Sequence, residues 1–183
     1  MRASSWIWSG LSVMLIAVLA GCHGASGLIP PDNGGNGGDG ALNVKAYEGN
    51  WQGQWENITF GSQGNASVQV TVDEAAQTAQ FVVDLDGNVL GAGDPPPITF
   101  NATYDENSLT VDGSSALFGD VSFGAAKGGA LTGSATNVPN AAIDRVDVTG
   151  NATSTTITVN YTVTFSALAG GGTATGTLTL NKQ

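Results

Sequence analysis

Hydrophobic and polar residues alternate strictly from Ile157 to Phe165. Ile157, Val159, Tyr161, Val163 and Phe165 are separated by Thr158, Asn160, Thr162 and Thr164. A period of two puts the five apolar side chains on one face of an extended strand and leaves the other face to water. The same pattern recurs at Val68, Val70 and Val72, at Phe81, Val83 and Leu85, and at Ile98, Phe100, Ala102 and Tyr104. Shorter runs follow at Leu109 with Val111, at 117–123, at Val146 with Val148, and at Leu178 with Leu180. No window after Ala41 carries a helical stripe.

Turn chemistry separates these runs: Asp86-Gly87, Asp105-Glu106-Asn107, Asp112-Gly113, Gly128-Gly129, Val138-Pro139-Asn140, Gly150-Asn151 and Gly170-Gly171-Gly172. Such residues supply positive φ or bond their own backbone, so each predicts a reversal. The result is an all-β domain, an antiparallel meander of about eight to ten strands, each with one buried face. A sheet of that kind closes into a barrel or folds over as a sandwich. Small residues on the apolar face, at Gly119, Gly133, Ala135, Ala174 and Gly176, permit tight curvature and favour the barrel over the sandwich.

The N-terminus follows a different pattern. Arg2 precedes an apolar stretch, Trp6-Ile7-Trp8 and 11–19, which ends in Leu19-Ala20-Gly21-Cys22. This is the length of a signal-peptide core and too short for a comfortable membrane span. The tetrapeptide resembles the lipobox of bacterial lipoprotein precursors. The resemblance implies cleavage before Cys22, a diacylglyceryl group on its thiol and acylation of its new amine. Two or three acyl chains anchor stably where one is marginal. His23, where many Gram-negative lipoproteins retained at the inner membrane carry Asp, favours the outer membrane. From Gly24 to Gly40 the chain reads GASGLIPPDNGGNGGDG, which cannot bury enough apolar surface to offset ordering. The predicted organisation is a signal peptide over 1–21, a lipid-anchored tether over 22–44 and the β domain over 45–183.

Composition narrows the function classes. Fifteen acidic residues against five basic ones give a net charge of −10, which leaves no basic patch for nucleic acid or for anionic headgroups. Cys22 is the one cysteine and His23 the one histidine, which excludes disulfides, cysteine metal clusters, multi-histidine zinc sites and histidine triads. No cofactor is expected.

The domain opens with Tyr47-Glu48-Gly49-Asn50-Trp51-Gln52-Gly53-Gln54-Trp55. Its two G-x-W units resemble the first-strand motif of lipocalins and other calycins. In that family the tryptophan closes the barrel base beneath a basic side chain from near the last strand. The resemblance assigns that place to Lys182 or Arg145. The second and third lipocalin motifs are absent. Tyr47, Trp51, Trp55 and Phe60 form the candidate aromatic cluster, either packing the base or lining an apolar pocket. Asp84, Asp86 and Asn88 around Gly87 have the oxygen chemistry of a calcium loop, but a hairpin turn on Asp-Gly accounts for them without a metal. Five Asn-x-Ser/Thr sequons reflect composition.

The expectation is a non-enzymatic, lipid-anchored envelope domain. It binds a small apolar ligand or an envelope protein, or serves as a structural surface lipoprotein. The alternative is a hydrolase using two carboxylates from Glu48, Glu56, Asp120, Asp144 and Asp147 on an envelope or carbohydrate substrate.

Overall fold

A computed structural model describes residues 41–183. The predicted signal peptide, Cys22 and all but the last residues of the predicted tether lie outside them. Ten strands form a closed antiparallel barrel: β1 (Gly49–Asn57), β2 (Ser62–Asp73), β3 (Thr78–Leu85), β6 (Ile98–Tyr104), β7 (Ser108–Ser115), β8 (Gly119–Ala126), β9 (Ala130–Thr136), β10 (Ile143–Ala152), β11 (Thr156–Phe165) and β12 (Thr173–Lys182). Each pairs with its neighbour in the chain, and β12 closes the ring on β1 through Trp51 opposite Lys182 and Trp55 opposite Leu178. Two short strands, β4 (Asn88–Val89) and β5 (Ala92–Gly93), form a hairpin outside the wall. Two 3-10 turns, Val44–Tyr47 and Ala167–Ala169, complete the secondary structure.

Register carries the alternation around the ring. Val70 faces Phe81 and Phe81 faces Phe100; Val146 faces Val163 and Val163 faces Ala174. Directly opposed residues share a face, so the apolar sets line up inside the barrel. The outer wall carries Thr158 and Asn160 of β11, Thr177 and Thr179 of β12, Gln69 and Thr71 of β2 and Asn101 of β6. A barrel facing lipid needs the reverse arrangement, with an apolar band outside.

Small inward residues make room for large neighbours. A Cβ at Gly176 would collide with the Tyr161 ring, and one at Gly133 with the Phe123 ring. Three sequence expectations are corrected. Asp112-Gly113 and Gly150-Asn151 are not turns but lie within β7 and β10. Gly150 is required there because a Cβ would meet the Thr158 carbonyl oxygen. Asp86-Gly87 does not join two barrel strands; it starts the excursion whose reversal is at Leu90-Gly91. Leu42 and Val44, just before β1, pack into the interior cluster.

Candidate functional site: an apolar cavity in the barrel

The barrel is hollow. A cavity of about 300 Å³ runs along its interior, within the size range of small-molecule pockets. Phe81, Phe100, Phe118 and Phe123 line one side, and Val159 and Leu178 are among those opposite. The register turns Phe81, Phe100, Phe123 and Val159 inward, yet they are only partly buried, because part of each borders empty space instead of another side chain. A filled core would bury them completely. Apart from Tyr47 and Ser134 the lining side chains are apolar, and no carboxylate or cation is among them.

One end, the base, is crossed by the 3-10 turn. Trp51 on β1 is fully buried, with its indole N–H donating to the Tyr47 carbonyl at 2.8 Å. The Tyr47 and Trp51 rings stack with centroids 6.5 Å apart. Lys182, at the end of β12, holds its Nζ 5.7 Å from the centre of the Trp51 ring and donates to the Ala46 carbonyl at 2.7 Å. A cation over an indole face is attracted by the ring quadrupole. Arg145 takes no part, because it pairs with Asp147 at 2.6 Å on the outside of β10. The Leu42 amide donates to Glu106 O at 2.7 Å and the Tyr47 hydroxyl to Ala152 O at 3.4 Å. Burial raises the Tyr47 pKa. Lys45 and Glu48 pair at 2.7 Å outside the base; that pairing, then the Val72 amide, lowers the Glu48 pKa.

The predicted aromatic cluster therefore divides. Tyr47 and Trp51 meet at the base, and Tyr47 lines the cavity. Trp55 lies four residues along β1 toward the other end, its indole N–H donating to Asp86 O at 2.9 Å. Phe60 leaves the cluster. It is 67% exposed in the β1–β2 loop, its ring 6.0 Å from Phe165. A loop at the far end of β1 cannot return its side chain to the base.

None of the five carboxylates weighed for hydrolysis lines the cavity. Glu48 pairs with Lys45, Asp147 with Arg145, and Asp120 accepts from the Asn137 amide at 2.7 Å; Glu56 and Asp144 are exposed. Among the described residues, no three of His, Cys, Asp and Glu gather closely enough to hold a metal. The four-phenylalanine wall is not legible in the sequence: Phe81, Phe100 and Phe123 occupy alternating strand positions, but their convergence depends on the register of three strand pairs.

No protein-family model and no curated protein matches the sequence. Among solved structures, the chain is similar to a protein of unknown function in the DUF3598 family from Nostoc punctiforme, at 14% identity and a TM-score of 0.52. The match covers 78% of this chain and 50% of that one, so this chain spans about half its length. At that identity the likeness concerns the barrel fold alone.

Proposed function

We propose that this protein is a non-enzymatic, lipid-anchored binding protein of the cell envelope that holds a small neutral apolar molecule inside its barrel. The single observation behind this reading is the cavity. Inward side chains that border open space forfeit the packing contacts a filled core would give them. An apolar occupant returns the lost contacts, and the absence of charged lining side chains suits one without an ionised group. The lipobox at Cys22 supports the anchor and His23 the outer membrane, with the tether setting the domain's reach.

The test uses the Cys22→Ser chain and the uncharged fluorescent probe N-phenyl-1-naphthylamine. The probe should brighten on binding, and Val159→Trp, which places a bulky ring in the cavity, should abolish the signal while the fold is retained by circular dichroism. Equal binding by Val159→Trp, or none by the parent chain, would refute the interior site.

A further inference from the structure

We propose that the barrel end opposite the base docks on a neutral phospholipid bilayer, through Ile58 and Phe60 of the β1–β2 loop and Leu168 of the β11–β12 loop. The inference rests on the lipid anchor in the proposed function, and not on the cavity. Among the described residues these three are the exposed large hydrophobic side chains, at 60%, 67% and 92%. Single exposed apolar residues are ordinary, but here all three fall in two loops that join neighbouring strands at one end. The two loops form one surface. The Ile58 and Thr59 amides donate to Thr175 O at 2.8 and 3.4 Å, the Thr175 amide donates to Thr59 Oγ1 at 2.9 Å, and the Phe60 ring lies beside Phe165.

Two further properties suit this tip to lipid. Residues 57–62 and 165–173 carry no charged side chain, in a chain with fifteen acidic residues. A charge carried toward the acyl region would oppose insertion. The backbone amides of the tip are also bonded within the protein. In the β1–β2 loop, beside those of Ile58 and Thr59, the Phe60 amide donates to Asn57 Oδ1 at 2.9 Å and the Gly61 amide to Asn57 O at 2.7 Å. In the other loop the Ser166 amide donates to Ala142 O at 2.9 Å. The Ala169 and Gly171 amides donate to Ser166 O at 3.0 and 2.9 Å. Water can serve the amides of a loop that stays in solvent, whereas a loop that leaves water needs partners of its own.

The length of the predicted tether matches the task. The chain enters the domain at the base, and 18 residues separate Cys22 from Ala41. A Gly-rich coil of that length spans about 23 Å on average and about 60 Å at full stretch. The barrel is of similar height, since a ten-residue strand such as β11, inclined by about 40°, rises about 25 Å. A lipid on Cys22 therefore leaves enough chain for the far end to turn to the membrane that holds it. Tethering makes even a weak contact effectively intramolecular. The net charge of −10 opposes anionic headgroups, so the attraction is apolar and the favoured surface neutral. A second copy of the chain fits less well. Three side chains offer a few hundred Å², against roughly 800 Å² from each partner of a stable complex.

The test uses the Cys22→Ser chain, which has no other cysteine and so accepts a single label. A polarity-sensitive nitrobenzoxadiazole dye is attached at Ala169→Cys in the tip or at Ala75→Cys in the β2–β3 turn at the base, both exposed. With phosphatidylcholine vesicles the dye at 169 should brighten and shift to the blue, and the dye at 75 should not. Phe60→Ser with Leu168→Ser should weaken partitioning about tenfold. Leu168→Ser alone, at an almost fully exposed side chain, is the variant that leaves the fold intact, and should weaken it about threefold. No response at 169, an equal response at 75, or partitioning indifferent to these substitutions would overturn the membrane tip. A dimer in sedimentation equilibrium that the double substitution dissociates, without vesicle binding, would assign the tip to a second copy instead. Vesicle binding without N-phenyl-1-naphthylamine binding would refute the interior site and leave the tip standing. The chain tested carries no lipid, so its vesicle binding and the acylation of wild-type Cys22, read by mass spectrometry, fail separately.

Discussion

The two ends of the barrel are covered by segments held in different ways. At the base, the segment from Leu42 to Tyr47 is bound to the β6–β7 turn, to the end of β10, to Trp51 and to Lys182, and its Val44 is buried. At the other end, a hairpin that belongs to no barrel sheet is held by one side-chain bond beyond its stem. The base closure is the polypeptide's own entry into β1, so opening it means pulling out the first strand's support. The hairpin is an excursion between two strands already paired, so it can move without breaking the wall. Many hydrogen bonds hold the base segment, whereas beyond its stem the hairpin is held by one side-chain bond, from Asn140 to the Leu90 carbonyl, and by the packing of Val89 and Leu90.

That comparison can be broken at the base first. Trp51→Ala should cost about 3–5 kcal/mol in denaturant unfolding, as other buried aromatic truncations do. A loss below about 1 kcal/mol would show that the base is not what holds this end. Next, Lys182→Met keeps the aliphatic stem but removes the bond to Ala46 and the cation over Trp51. Unfolding should then become easier by about 1–2 kcal/mol. No change would reduce the lysine to a surface residue and leave the turn held by Trp51 and Leu42.

The smallest expected effect is alkaline and lies on the hairpin's side of the barrel. Tyr161 donates its hydroxyl to Glu56 O at 2.9 Å, and its pKa is pushed up to about 12, first by burial and then by the Glu56 charge. A raised folded-state pKa favours the protonated phenol, so this contribution is complete below about pH 10, the unfolded value, and is lost as pH rises toward 12. Absorbance titration near 295 nm should show one tyrosine ionising last, and Tyr161→Phe should flatten the loss of stability over that interval. An unaltered pH profile in Tyr161→Phe would move the alkaline sensitivity elsewhere.

Much of the wall was legible because its signal is local. The nine-residue alternation of Ile157 to Phe165 predicted a strand with Val159 and Val163 facing in, and β11 is that strand, paired with β10 and β12. Lys182 and Arg145 could not be separated from the sequence: both are basic residues toward the C-terminus, and only pairing of β12 with β1 sets Lys182 opposite Trp51. Phe60 lies close to the tryptophans in sequence, but strand β1 carries it to the other end of the barrel. Asp112-Gly113 and Gly150-Asn151 read as turns because glycine beside Asp or Asn usually serves φ. Here both glycines occupy the inner face of a continuous strand, where Gly150 provides clearance.

The sequence by itself determined the all-β class, the inward and outward faces and the antiparallel meander, because a period of two and the chemistry of turns act between residues adjacent in the chain. It also carries Leu19-Ala20-Gly21-Cys22, a contiguous motif that resembles a lipobox. Tertiary structure alone decided that the inside is hollow. Whether inward phenylalanines touch or stand apart depends on how many strands the ring holds and how far each is staggered. Those quantities arise when β12 meets β1, and no local pattern encodes them. The plug at the base and the hairpin over the other end were likewise decided there, since each depends on residues about fifty or more positions apart reaching hydrogen-bonding distance.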